Sequence, residues 1–180
     1  FLNSNLLLER KIWAELGENK IYLKDKVINE GYKKAPLMIL YHMNLGYPLL
    51  DQGTELKINS NKTISRDNYD LEPYHVYKSP QNDYPDAVFY HDVKEDENGW
   101  CHVSLRNEKI KKAFNLSYKK DNLPNLVQWK YTNKGYYVTG LEPANCFVEG
   151  RKKERENGTL EILEPGAEKE YNLEIEIQEF

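Results

Sequence analysis

An imidazole and a carboxamide, His42 and Asn44, close an apolar run that enters from Pro36 to Tyr41, with Gly46 and Pro48 following at once. An imidazole near its reference pKa of about 6.5 can hand over or accept a proton at neutral pH. A carboxylate, Glu142, sits in "GYYVTGLEPAN", where Tyr136, Val138, Gly140 and Glu142 share one strand face and Pro143 ends the strand. In "YPDAVFYHD", Asp86, Val88 and Tyr90 fall on one face and Ala87, Phe89 and His91 on the other. "LPNLVQWKYTNKGYY" sets Gln128, Trp129 and Lys130 ahead of a turn at "NKG". Aromatic rings beside amide and cationic groups suit a sugar, whose C–H faces stack while its hydroxyls hydrogen-bond. Each segment alone also has a plain structural explanation: a core histidine satisfied by an amide, a strand-end glutamate paired with lysine, a turn aspartate, a strand-end His91, hairpin aromatics.

Side chains so spread along the chain need rigid elements to bring them together, and the pattern predicts strands. "NLLLERKIWAEL" places Leu6, Leu8 and Ile12 on one side, with Arg10 the exception. "KIYLKDKVINE" places Ile21, Leu23 and Val27 opposite Lys24 and Lys26, and "GENK" joins the two as a hairpin. Further strands are expected over 36–45, 55–59, 86–94, 101–107, 114–120, 127–133 and 135–142. At the end of the chain, Tyr171, Leu173, Ile175 and Ile177 alternate with polar residues. In 36–45, alternation puts Leu37, Ile39, Tyr41, Met43 and Leu45 on one face and Met38, Leu40, His42 and Asn44 on the other. The only helical expectation is one or two polar turns in "EGRKKERENG", stopped by Gly158. Residues 60–85 lack periodicity and carry several tyrosines, which predicts an ordered loop over a site. The resulting class is all-β: an antiparallel β-sandwich in one domain over 1–180.

Composition narrows the partners. With 29 Asp+Glu against 25 Lys+Arg in 180 residues and no basic stripe, a nucleic-acid surface is not expected. No apolar run reaches the length of a membrane span, so no membrane partner is expected and the protein is read as soluble. Cys101 and Cys146 have no metal-type spacing and are expected as unpaired thiols in a reducing compartment, hence a cytoplasmic location. The sequons at Asn61, Asn115 and Asn157 hint at export only faintly. His42, His75, His91 and His102 lack ligand spacing, so no metal is expected, and no nucleotide or cofactor motif occurs. Because the chain opens at Phe1 directly into strand-like sequence, it is expected to continue from an upstream segment.

Taken in order, "NLLLERKI", "APLMILYHMNLGYPLLDQG", "YPDAVFYHD", "LPNLVQWKYTNKGYYVTGLEPAN" and "GR" followed by "ERENGTLEILEPG" resemble the galactose mutarotase-like superfamily of aldose 1-epimerases. The likeness is nearest to its branch described as a domain of unknown function. It covers the C-terminal portion of such domains, whose longer N-terminal part supplies early strands and an Asn-Arg pair unmatched in this chain. The resemblance implies a galactose mutarotase-like supersandwich that holds a small-molecule sugar in an open cleft. It implies His42 as general acid and Glu142 as general base, Asp86 on sugar hydroxyls, Asn44, His91 and Lys130 as further site-liners, and no cofactor. The implied reaction is interconversion of sugar anomers. A non-catalytic carbohydrate-binding sandwich and a different sugar isomerase remain as alternatives.

Overall fold

The computed structural model describes residues 4–67, 74–83 and 85–180. In chain order the strands are β1 (Leu6–Trp13), β2 (Lys20–Asn29), β3 (Ala35–Leu37), β4 (Met43–Gly46), β5 (Glu55–Ile58) and β6 (Ser60–Ser65). There follow β7 (Ala87–Val93), β8 (Trp100–Asn107), β9 (Lys112–Lys119), β10 (Asn125–Asn133) and β11 (Tyr136–Ala144). A short helix, α1 (Arg151–Asn157), precedes β12 (Glu161–Leu163) and β13 (Glu168–Glu179). The helix ends on Gly158 at φ 73°, the left-handed conformation that glycine adopts without penalty.

Two large sheets form the body. One runs β1-β2-β13-β9-β8-β5 and the other β4-β11-β10-β7-β6, while β12 and β3 make a small third pair. Val93, Leu126 and Leu141 of the five-stranded sheet and Val103, Leu105, Leu116 and Leu173 of the six-stranded one join a single buried cluster. Two packed sheets with the core between their inner faces are what alternation predicts, and the antiparallel sandwich is what the resemblance implies. The outer face of the five-stranded sheet carries a second, smaller cluster of Val88, Tyr90, Val127 and Ala144, with Leu40, Trp129 and Phe147 against it.

The expected strand over 36–45 is divided. β3 pairs with β12, Leu40 bridges to Ala144, and β4 pairs with β11. The segment passes from one sheet to another, and the buried Asn145 side chain fastens it there. Asn145 Oδ1 accepts from the Ile39 N–H at 2.8 Å, and its Nδ2 donates to Leu37 O at 3.0 Å. The two-residue alternation survives the break, since Leu37 and Tyr41 are in the core with Ile39, Met43 and Leu45 packed on it.

Strand β6 and the start of the long aperiodic stretch also differ from expectation. β6 is an edge strand of largely polar sequence, paired to β7 with an irregularity between Ser60 and Lys62, so it has no apolar face to announce it. Farther on, Tyr74 and Tyr77 lie behind the five-stranded sheet and not over its outer face; Tyr77 is fully buried. Residues 68–73 and Tyr84 of that stretch lie outside the described residues.

Candidate active site

Strand parity decides which side chains meet on the outer face. In the β10–β11 register Trp129 faces Gly140 and Val127 faces Glu142. In β10–β7, Trp129 faces Val88. Leu40, His42, Arg66, Asp86, Val88, Val127, Trp129, Glu142 and Val148 line an open cleft of about 260 Å³.

His42 and Glu142 meet at its centre. His42 Nε2 is 2.9 Å from Glu142 Oε1, with the imidazole side chain 45% exposed and the carboxylate 4%. Glu142 Oε1 is buried and accepts no hydrogen bond. Burial in the first place, and the charge of Asp86 in the second, push the Glu142 carboxyl up to about 7. That makes it a base balanced between its two forms at neutral pH.

Three neighbours shape this pair. Gly140 is needed for space: a Cβ there would stand 2.1 Å from Glu142 Oε1 and 3.1 Å from His42 Cε1. The Trp129 ring meets the His42 ring edge-on, centroids 5.9 Å apart, and its indole N–H donates to Asp86. Arg66 Nη2 lies 2.9 Å from Asp67 and 3.8 Å from Asp86.

Support comes from behind. The Tyr41 amide donates to Pro143 O at 3.0 Å, which sets the chain just before His42 beside that just after Glu142. The Tyr41 hydroxyl donates to buried Asp25 at 2.8 Å, and Arg10 grips the same carboxylate with two bonds of 2.8 and 2.6 Å. At the rim, the buried Glu154 carboxylate accepts from the Phe147 N–H at 2.9 Å and the Thr159 hydroxyl at 2.7 Å. Phe147 packs edge-on to Tyr90 at 4.7 Å, so the loop carrying Val148 to the cleft is held at both sides.

Of the residues singled out in the sequence, His42, Glu142 and Asp86 converge. Asn44 pairs with Gly140 and shares its face, but is exposed beyond the cleft. His91 and Lys130 lie on the inner face and are buried. His91 Nε2 donates to Gln128 Oε1 at 3.0 Å and its Nδ1 accepts from Thr63 at 2.9 Å. This tautomer follows because Gln128 Nε2 already donates to Tyr77 and to Tyr74 O. Lys130 Nζ donates to Val76 O at 3.0 Å and stands over the Tyr77 ring. Sequence reasoning missed Arg66, Asn145 and Glu154. Arg66 follows a polar edge strand without periodicity, and the other two act through contacts that only the fold creates.

Among the described residues no group of three or more His, Cys, Asp or Glu could hold a metal ion, and no helix is long and apolar enough to cross a membrane. Cys101 and Cys146 are free and buried.

The sandwich fold is that of galactose mutarotase-like proteins of known structure. A candidate aldose 1-epimerase from Klebsiella pneumoniae superposes over 98% of this chain with a TM-score of 0.90 at 24% identity. A galactose mutarotase-like protein from Clostridium acetobutylicum covers 97% of it at 13% identity and TM-score 0.63, and a galactose mutarotase related enzyme from Lactobacillus acidophilus 95% at 15% and 0.65. The chain spans 47%, 63% and 61% of the lengths of these three proteins. The family is that of the domain of unknown function DUF4432, whose model matches residues 1–177; the chain belongs to it. No curated protein matches the chain.

Proposed function

We propose that the protein interconverts the anomers of an aldose, with Glu142 as general base and His42 as general acid. The observation that carries this reading is the contact of these two groups in an open cleft, 2.9 Å apart, with the carboxyl held at about 7. In a cyclic hemiacetal the anomeric hydroxyl and the ring oxygen share one carbon, so an acid and a base serving both must be neighbours.

The carboxylate of Glu142 takes the proton of the anomeric hydroxyl while protonated His42 gives one to the ring oxygen. The bond from the anomeric carbon to the ring oxygen breaks, leaving an open-chain aldehyde. Rotation about the adjacent carbon–carbon bond presents the other aldehyde face. Ring closure returns the freed hydroxyl's proton to His42 and the Glu142 proton to the new anomeric oxygen. Protons and charges balance over the cycle. Each positioned transfer typically contributes about 10²–10⁴-fold. Asp86, oriented by the Trp129 indole, accepts from sugar hydroxyls, and Trp129 offers a ring to the C–H face.

Polarimetry or exchange NMR on the full-length protein with freshly dissolved α- and β-aldoses tests the reading. His42→Asn and Glu142→Gln are each expected to remove the catalysed rate with the fold intact; wild-type rates in both retire the assignment. A product that is a different sugar identifies a sugar isomerase built on the same pair. Saturable binding with no acceleration in the wild type identifies a carbohydrate-binding sandwich.

A further inference from the structure

We propose that the cleft is the end of a longer site, and that the substrate class is a neutral oligosaccharide whose reducing end lies between His42 and Glu142. The inference rests on the anomerase reading for the placement of that end. The rest comes from the outer face beyond Trp129.

Along β10 the residues on the cleft face are Val127, Trp129, Tyr131 and Asn133, and across the turn Tyr136 stands opposite Asn133. The Trp129 and Tyr131 rings are nearly parallel, 7° apart in plane with centroids at 5.9 Å, and Tyr136 continues the row at 6.4 Å from Tyr131. Tyr136 is 72% exposed, so its ring is open to a ligand. At about 3.3 Å of rise per residue, Trp129 to Asn133 spans roughly 13 Å, more than one sugar ring needs.

Beside Tyr131 and Tyr136 a second cavity of about 440 Å³ opens, to which Gln81, Asn82, Asp83 and Lys134 bring amide, carboxylate and ammonium groups. It is built, not incidental. The Gln81 amide donates to Thr132 O at 3.1 Å and Lys134 N–H to Gln81 O at 2.9 Å, which docks the wall onto the β10–β11 turn. Rings for C–H faces, with hydrogen-bonding groups at their margins, are what a chain of sugars requires. Neutrality follows from charge: Asp83 and Lys134 offset each other, and the cleft's Arg66 is engaged by Asp67 and Asp86 while Glu142 adds a carboxylate. An acidic sugar would meet repulsion there.

The test compares glucose, galactose and mannose with their reducing β-1,4-linked dimers and trimers on the full-length protein, by anomer-exchange NMR and by calorimetric binding. One oligomer series is expected to exceed its monomer at least about tenfold in kcat/KM and in affinity, near the free energy of one aromatic contact. Tyr136→Ala and Tyr131→Ala should bring the oligomer-to-monomer ratio back towards one. Equal values for monomer and oligomers in every series, or ratios unmoved by both variants, overturn the extended site. Turnover of monomers lost in Glu142→Gln would then still support the acid–base reading. Conversely, tighter oligomer binding lost in Tyr136→Ala without any turnover upholds the extended site and removes the mechanism. Uronic-acid oligomers bound more tightly than neutral ones contradict the charge argument.

Discussion

The Tyr41 hydroxyl donates to Asp25 across the interior of the sandwich at 2.8 Å, and the next residue along the chain is His42. One peptide unit thus joins a buried charge on the six-stranded sheet to the imidazole in the outer cleft. Tyr41→Phe removes that anchor but leaves Arg10 on the carboxylate. The expected cost is about 1–3 kcal/mol in urea unfolding. Anomerisation should lose more in kcat than in KM, because the imidazole is displaced while the rest of the cleft is kept.

Gly140 is the tightest point of the site. Gly140→Ala places a methyl where Glu142 Oε1 now lies, so the carboxylate must move. Overpacking of this sort costs about 1–3 kcal/mol. Stability should fall within that range, and catalysed exchange should drop at least about a hundredfold, the contribution of one positioned proton transfer. Retained activity in a folded Gly140→Ala protein would show that the present carboxylate position is not needed.

Burial makes Glu142 costly to ionise. Its folded pKa is raised to about 7, so between the ordinary carboxylate range and 7 the folded chain holds a proton that the unfolded chain has released. Stability contributed by this group is therefore complete below that range and is lost as pH rises through 7. Glu142→Gln, which cannot ionise, should be more stable than wild type at pH 8 by on the order of 1–3 kcal/mol and nearly equal at pH 4. Denaturation midpoints at the two pH values check this.

His91 has the opposite sign. Burial lowers it to about 4, so the unfolded chain takes up a proton first as pH falls. The neutral ring's contribution is whole above about 6.5 and is lost as pH drops towards 4, a change on the order of 3 kcal/mol at most. His91→Gln should flatten this part of the pH–stability curve. An unchanged slope would assign acid sensitivity to other groups.

Much of this arrangement was legible before any coordinates. Alternation in 37–45 put Leu37 and Tyr41 on one face and His42 on the other, without saying which was inner, and the division holds even though the run is two strands and a bridge, because side-chain parity persists through extended backbone. The same rule set His91 opposite Asp86 and Lys130 opposite Trp129. The resemblance placed both among the site-liners; parity agrees with the inner face where they lie. Strand β6 was illegible because an edge strand need not bury a face, and with it went Arg66. Asn145 and Glu154 gave no signal, since a buried amide or carboxylate is recognised only by backbone groups that the tertiary fold delivers to it.

The pH dependence of kcat/KM for anomer exchange tests the central claim most directly. If Glu142 is the base, the rate should climb about tenfold per pH unit below neutrality and stop climbing near 7, falling again where His42 no longer carries the proton it must donate, and Glu142→Gln should abolish the rising limb together with the rate. A wild-type profile with no rising limb between about pH 5 and 7, as an ordinary carboxylate would give, or a limb near 7 that persists in Glu142→Gln, would contradict it.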